Sequence, residues 1–215
     1  MRPDPLPPNI FCLGRTYAAH AAELGNAAPA APLVFMKPWS AVVDSGGEVM
    51  LPRDGGVCHH EVELVVEVGA ELWRPTEPEA RAAIRRVAVA IDLTLRGRQS
   101  ELKAKGHPWE AAKAFEGACP LSELVEPGDT AIEDMALRLE RNGELVQSGA
   151  ARQMALSLGA AVARVGSLFK LRPGDLILTG SPPGVGPVEP GDRLVATLGE
   201  PAQARVEVKV RREPD

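Results

Sequence analysis

The sequence predicts an α+β fold that is made mainly of β-strands. Many short apolar or alternating runs are bounded by Gly, Pro, Asn or Asp, and only a few stretches carry helical spacing. These elements do not follow the regular strand–helix–strand order of a doubly wound sheet. At 215 residues, we expect one domain of sandwiched or rolled sheets over residues 1–215, with a Pro-rich lead-in at 1–9.

Composition and charge exclude several classes of partner. A net charge of -5 argues against binding to nucleic acid or anionic membranes, and 4% aromatic residues leave few stacking platforms. No apolar run approaches the roughly 18 residues of a membrane span, and the start MRPDPLPPN has no secretory pattern. Three widely spaced cysteines indicate a reducing compartment without disulfides. We therefore expect a cytoplasmic protein.

The first half of the chain alternates strands with short helices. Expected strands are 10–14, 32–43 with a Pro interruption, 60–68 and 87–91. Expected helical segments are 18–24, closed by Gly25-Asn26, 76–86 and 94–105. The second of these helices begins with a capping box, Thr76 at the N-cap and Glu79 at N3.

The second half contains more strands and one long helix. Asn142-Gly143 between alternating runs predicts a type I′ hairpin. Apolar residues at helical spacing predict the long amphipathic helix; they are Met154, Leu158, Val162, Val165 and Phe169. Pro-Gly-Asp turns at 127, 173 and 190 each precede a strand-like run. The expected final strands are 176–179, 193–198 and 206–210.

The most informative stretch is HHEVELVVEVG, residues 59–69. Strand alternation places Val62, Leu64, Val66 and Val68 on one face and the acidic residues on the other; these are Glu61, Glu63 and Glu67. Two carboxylates at i and i+2 in an apolar strand are costly to bury unless a cation neutralises them. The stretch is either a half-exposed strand with a hydrated acidic face or part of a site for a hard divalent cation.

Asp92 is a candidate third ligand because it closes a buried strand, although Asp is also common before a helix. With Glu61 and Glu63 it would form an all-oxygen site suited to magnesium or manganese. Zinc at Cys58, His59 and His60 is the less favoured reading, because neighbouring side chains of a strand point to opposite faces.

Three further features are candidates for chemistry. His20 and Glu23, at i and i+3 of a helical turn, could be a general base and its orienting carboxylate, or an incidental exposed pair. Lys113 is a lone amine in the small apolar segment AAKAF, where it either extends to solvent or meets an anion. The loop 180–186 is glycine-rich without the spacing of a P-loop or a dinucleotide motif, and could offer amides to a carboxylate.

Seven motifs, in this order and over nearly the whole chain, resemble the fumarylacetoacetate hydrolase family, in particular its small single-domain members acting on acylpyruvates and oxaloacetate. They are GRTYAAHAAELGN (14–26), PLVFMKPWSAV (32–42), HHEVELVVEVG (59–69), DLTLRGRQ (92–99), KGHPWEAAKAF (105–115), NGELVQSG (142–149) and PGDLILTGSPPGVGPVEPGD (173–192). The departures are Thr16, where many members carry Asn, and Ser181, where Thr is usual. Either could tune substrate choice.

The resemblance implies a mixed β-sandwich roll, usually a homodimer, and a role for nine residues. The divalent-metal ligands would be Glu61, Glu63 and Asp92. Lys113 would be the active-site lysine, with His20 and Glu23 on a mobile lid. Arg15, Gln99 and Thr179 would contact the substrate.

The implied activity is cleavage of the C–C bond of an acylpyruvate or other 1,3-diketo acid, such as fumarylpyruvate or acetylpyruvate, to pyruvate and a carboxylic acid. Oxaloacetate decarboxylation could use the same site, since both reactions pass through a stabilised enolate. An isomerase acting on a 2-hydroxy-dienedioate is the alternative. The expected cofactor is Mg²⁺ or Mn²⁺, with Ca²⁺ also compatible, and the expected partner is a small 2-oxo or 1,3-diketo acid.

Overall fold

The computed structural model describes residues 8–23 and 31–213, which contain fifteen strands and five α-helices. The strands are β1 Ile10–Gly14, β2 Leu33–Lys37, β3 Val42–Val43, β4 Glu48–Leu51, β5 Cys58–His60, β6 Val62–Val68, β7 Ile84–Ile91, β8 Thr94–Leu95, β9 Cys119–Pro120, β10 Leu137–Arg141, β11 Glu144–Gly149, β12 Leu176–Leu178, β13 Gly186–Val188, β14 Arg193–Leu198 and β15 Ala204–Arg212. The helices are α1 Ala18–Glu23, α2 Glu77–Ala82, α3 Arg96–Ala104, α4 Glu110–Lys113 and α5 Leu158–Leu168. The strand-rich α+β prediction is confirmed.

Two five-stranded sheets form the sandwich. The first has the order β2-β1-β12-β6-β7 and is mixed, because β1 pairs in parallel with β12 while the other neighbours are antiparallel. The second has the order β11-β10-β14-β15-β4. The apolar even-numbered side chains of β6 pack in one core with Leu137, Leu139 and Val206 of the second sheet. This shared core holds the two sheets face to face.

The opposite face of the first sheet is also buried. Val65 lies there in a second cluster with Ala88, Ala90 and Leu178, so every residue of β6 is buried. The alternation of β6 was therefore predicted correctly, but its acidic face is not hydrated. Glu67, on that face, forms a bidentate ion pair with Arg86 at 2.6 Å, which makes it a structural residue.

The expected strand 60–68 is divided at Glu61. Here β5 belongs to a three-stranded sheet of order β13-β5-β8, whereas β6 continues in the first large sheet. Glu61 belongs to neither strand, and its carbonyl accepts a hydrogen bond from the amide of Asp92 at 2.7 Å.

Three helix boundaries differ from expectation. The capping box of Thr76 and Glu79 is present, but α2 ends at Ala82 rather than 86 because Ile84 already pairs with Val68. The helix expected from 94 begins at 96, since β8 pairs with β5. The helix expected from 154 begins after the N-cap Ser157.

The Asn142-Gly143 hairpin is confirmed, with both residues at positive φ of 56° and 86°. Among the described residues, no helix reaches the length and apolarity that a bilayer crossing requires. The helix stop at Gly25-Asn26 and residues 1–7 of the lead-in lie outside the described residues.

Candidate active site

Three buried carboxylates converge beside the first sheet. Glu61 lies at the break between β5 and β6, Glu63 on β6, and Asp92 directly after β7. One oxygen of each lies within 4.8 Å of the others, the only such group of three potential metal ligands in residues 8–23 and 31–213. The antiparallel pairing of β6 with β7 sets this separation, because Glu63 faces Ala90 near the ends of both strands.

Lys113 and Arg96 neutralise part of this charge. Lys113 Nζ lies 2.9 Å from Oε2 of Glu61 and 2.5 Å from Oδ2 of Asp92, and Arg96 pairs with Oε1 of Glu61. Burial alone would raise the pKa of Glu61, but these two cations hold it well below its usual range. Burial likewise would lower the pKa of Lys113, and the carboxylates raise it instead. The carboxylates therefore favour the ammonium form of Lys113.

Among the described residues, Glu63 forms no ion pair like those of Glu61 and Asp92. Its Oε2 accepts a hydrogen bond of 2.7 Å from the amide of Gly180. Burial, followed by the charge of Asp92, raises the pKa of the Glu63 carboxyl well above its usual value. Burying a third carboxylate next to two others is electrostatically costly, and a further cation at the cluster would relieve that cost.

Lys37 is a site residue that the sequence analysis missed. Its side chain is fully buried, with Nζ 2.8 Å from Oδ1 of Asp92 and donating to the carbonyls of Ala118 at 3.0 Å and of Lys113. The sequence feature that could have indicated it is a single charged residue at the end of the apolar run LVFM of β2. Arg96 was also missed, although it lies three residues before Gln99.

The donor set fits a hard divalent cation. Oδ1 of Asp92 is buried and accepts no hydrogen bond from the described part of the chain, because its contact with Lys37 lacks hydrogen-bond geometry. Within that part of the chain this oxygen is held only by its ion pair with Lys37, and it converges with two more carboxylates, an all-oxygen donor set that suits Mg²⁺ or Mn²⁺. The zinc alternative fits poorly, because Cys58, His59 and His60 do not form a converging group of ligand atoms in the described part of the chain.

The carboxylates open into a cavity of about 110 Å³. Arg15 and Gln99, two of the expected substrate contacts, line it together with Lys113. Oε1 of Gln99 accepts from Arg96 at 2.8 Å, which leaves its amide nitrogen as the group that can donate to a ligand. Phe35 and Trp109 form an apolar wall, their ring centroids 6.0 Å apart.

Thr179 is placed differently from the other expected substrate contacts. It is fully buried, and its hydroxyl donates to the carbonyl of Leu64 at 3.0 Å, so the side chain anchors β12 to β6 beside Glu63. Its carbonyl accepts from the hydroxyl of Thr16 at 2.7 Å. The next residue must be glycine, since a Cβ on Gly180 would meet that hydroxyl at 1.9 Å. A substrate contact by Thr179 stays a prediction.

His20 and Glu23 form the expected pair. Nδ1 of His20 lies 3.2 Å from Oε2 of Glu23, and the imidazole is 7% exposed. The Glu23 carboxylate also accepts from the amide of Gly184 at 3.1 and 3.3 Å, so α1 is held against the glycine-rich loop. With Nδ1 bound to the carboxylate, Nε2 of the neutral ring carries the lone pair.

The chain is similar to known proteins over most of its length. The profile of the fumarylacetoacetate (FAA) hydrolase C-terminal family matches residues 9–210. The chain is 42% identical over 193 residues to oxaloacetate tautomerase YcgM of Escherichia coli (strain K12), covering 88% of this chain and 87% of that protein.

Two solved structures are similar throughout. Fumarylpyruvate hydrolase from Pseudomonas aeruginosa, in complex with Mn²⁺ and pyruvate, superposes with a TM-score of 0.87 at 33% identity, covering 97% of this chain and 91% of that one. The 5-carboxymethyl-2-hydroxymuconate delta-isomerase from Mycobacterium smegmatis gives 0.83 at 31% identity, covering 97% and 80%. By sequence and by structure, this chain belongs to the fumarylacetoacetate hydrolase family.

Proposed function

We propose that this protein is a divalent-metal-dependent enzyme that acts on small 2-oxo acids by forming and stabilising an enol or enolate. The observation that carries the proposal is the convergence of Glu61, Glu63, Asp92 and the Lys113 ammonium on one cavity. Such a site offers oxygen ligands for a cation and a fixed positive charge next to them. A bound Mg²⁺ or Mn²⁺ would supply Lewis-acid polarisation of the 2-oxo oxygen.

The residues around the cation position have separate tasks. Lys113 lies 2.9 Å from Glu61 and 2.5 Å from Asp92, so its role is to present positive charge to negative charge that develops on oxygen, rather than to remove a proton. Gln99 directs its amide nitrogen towards the substrate carboxylate, while Arg96 fixes its other end. Phe35 and Trp109 exclude water from one side.

Oxaloacetate tautomerisation is the first candidate reaction, supported by the 42% identity to the Escherichia coli tautomerase. It requires one proton to leave the carbon next to the oxo group and one to reach the enol oxygen. His20 is the candidate base, because Glu23 holds Nδ1 and leaves the lone pair of Nε2 for this proton. Decarboxylation of oxaloacetate would instead break the bond to the distal carboxylate and release carbon dioxide, leaving the enolate of pyruvate, which takes up a proton to give pyruvate.

Hydrolysis of an acylpyruvate is the second candidate, favoured by the structural similarity to fumarylpyruvate hydrolase and by the His20–Glu23 pair. His20 would take a proton from water as the hydroxyl adds to the distal carbonyl. The C–C bond then breaks to give a carboxylic acid and the enol of pyruvate. A dienedioate isomerase would use the same groups without cleavage, as the similarity to the Mycobacterium smegmatis isomerase suggests.

The setting proposed for this enzyme is a homodimer in the cytoplasm. All three cysteines are free and buried, which supports a reducing compartment. The large apolar side chains that the monomer leaves exposed, among them Trp39 at 47% and Trp73 at 54%, support association with a second copy.

Metal removal and a ligand variant test the proposal together. Chelator-stripped protein should lose turnover of oxaloacetate and acetylpyruvate and regain it with Mg²⁺ or Mn²⁺. Asp92→Asn should lose Mn²⁺ binding and about 10³-fold in kcat while keeping its circular dichroism spectrum, because it removes one of the three carboxylates that would hold the cation. Asp129→Asn, at an exposed turn, is the matched control. Full turnover by a metal-free sample would overturn the proposal.

A further inference from the structure

Gln147 of β11 is a buried amide whose entire hydrogen-bonding capacity is used within the described structure. It is 2% exposed. Its Oε1 contacts Nδ1 of His60 at 2.8 Å and accepts from the amide of Val62 at 3.1 Å. Its Nε2 donates to the hydroxyl of Ser181 at 2.9 Å and to the carbonyl of Pro182 at 3.0 Å. Two acceptor and two donor positions are all that a glutamine amide has.

The amide oxygen of Gln147 binds the two residues that flank Glu61. His60 ends β5 and Val62 begins β6, and both bind the same Oε1, one on each side of the metal-ligand position. Since the backbone N–H of Val62 can only donate, the oxygen must face this side, and Nδ1 of His60 must carry the hydrogen. The amide thus fixes the break in the chain from which the Glu61 carboxylate enters the site.

The amide nitrogen of Gln147 holds the loop segment that donates a hydrogen bond to Glu63, the second proposed metal ligand. Ser181 lines the cavity, and the preceding Gly180 donates its amide to Glu63 at 2.7 Å. The loop also packs tightly on β11, because a Cβ on Gly184 would lie 2.6 Å from the carbonyl of Val146. One side chain therefore connects the backbone beside Glu61 to the loop that orients Glu63.

We infer that Gln147 is a positioning residue whose amide sets the relative placement of the Glu61 and Glu63 carboxylates and thereby the affinity of the site for a divalent cation. The inference rests on the proposed metal-dependent function. It concerns a residue that touches neither the cation position nor the cavity. Outer-shell partners of metal ligands commonly change affinity by about 10–100-fold when they are removed.

The test compares two variants of Gln147 with a matched substitution elsewhere. Gln147→Met keeps the length of the side chain and removes all four hydrogen bonds. Gln147→Asn keeps an amide that is one methylene too short to reach both the break at Glu61 and the Ser181 loop, and it gives folded protein if the methionine variant does not fold. Gln203→Met makes the same chemical change at an exposed position in the turn between β14 and β15.

Mn²⁺ affinity, measured by calorimetry on chelator-stripped full-length protein, is the readout that a purely structural role would leave unchanged. Both Gln147 variants should bind Mn²⁺ at least about tenfold more weakly than wild type, and Gln203→Met should stay within twofold. A lower melting temperature with Mn²⁺ affinity within twofold of wild type in both Gln147 variants would overturn the inference. Failure of the wild-type protein to bind Mn²⁺ would instead overturn the proposed function.

Discussion

At the scale of single residues, Lys37 is the buried cation whose removal has the clearest consequence. It faces Asp92 Oδ1 at 2.8 Å, and both side chains are at most 1% exposed. Removing Lys37 would leave only Lys113 to offset the buried Asp92 carboxylate, and breaking a buried ion pair costs about 3–5 kcal/mol. Lys37→Met should therefore lower the free energy of unfolding of metal-free protein by about 3 kcal/mol, measured by urea denaturation in chelator.

Manganese should partly reverse this loss. A divalent cation takes over the neutralisation of Asp92 and no longer meets the repulsion of the Lys37 ammonium, so it should stabilise the variant more than wild type. Lys170→Met, which removes an ion pair with Glu71 that is more than half exposed on each side, should change stability by less than about 0.5 kcal/mol. Equal stability of the two variants in chelator would contradict the assignment of Lys37.

The two buried lysines also mark the limit of prediction from sequence. Lys113 was recognised because its neighbours AAKAF are small and apolar, and the family resemblance gave it a role. Lys37 ends a strand next to Pro38, where an exposed charge is equally expected. Its partners are carbonyls 76 and 81 positions further along the chain. Local pattern predicts which face a residue occupies, but distant partners decide what it does there.

At the scale of elements, α1 and the glycine-rich loop form one unit through Glu23. The helix has only six residues, and the Glu23 carboxylate joins His20 to the amide of Gly184. His20→Ala should reduce kcat for acetylpyruvate hydrolysis by about 10²–10⁴-fold, because that reaction needs a general base for water. Oxaloacetate decarboxylation needs no water attack and should fall much less. Parallel assays of the two substrates provide the measurement.

The conservative variant Glu23→Gln separates the role of His20 as a base from the role of Glu23 in holding it. Glu23→Gln keeps an oxygen that can accept from His20 and from Gly184, so its hydrolysis rate should fall far less than that of His20→Ala. Equal losses on the two substrates in His20→Ala would argue that the histidine shapes the site instead of acting as a base.

In the strands, the alternation of apolar and polar residues predicts which face a side chain occupies, whereas the pairing of strands decides where a strand ends. Alternation correctly assigned the faces of β6, because a two-residue period leaves little freedom once one face is buried. It could not reveal the break at Glu61, since HHEVEL reads as continuous strand. The break arises because β5 pairs with β13 and β8 while β6 pairs with β12 and β7. Nor could any local pattern single out Gln147, whose four partners lie in other elements.

At the scale of the whole molecule, the core encloses every cysteine. Cys12, Cys58 and Cys119 are at most 1% exposed and lie in different strands, β1, β5 and β9. Burial raises the pKa of Cys58 and of Cys119 to about 12, and it raises that of Cys12 as well. At pH 8 a thiol with such a pKa is ionised in on the order of one molecule in 10⁴. Burial limits reagent access to the three thiols, and the raised pKa keeps them protonated, so both effects slow their reaction with thiol reagents.

Native protein should consequently show no thiol reactive towards a chromogenic disulfide reagent at pH 8, and all three should react after denaturation in guanidinium chloride. In sub-denaturing urea the labelling rate should follow the opening of the folded state, and Mn²⁺ should slow it because the cation binds only that state. Ser148→Cys, at an exposed position of β11, supplies a reactive thiol as the positive control. Rapid labelling of a native cysteine, at a rate that urea leaves unchanged, would mean that part of this core opens without global unfolding.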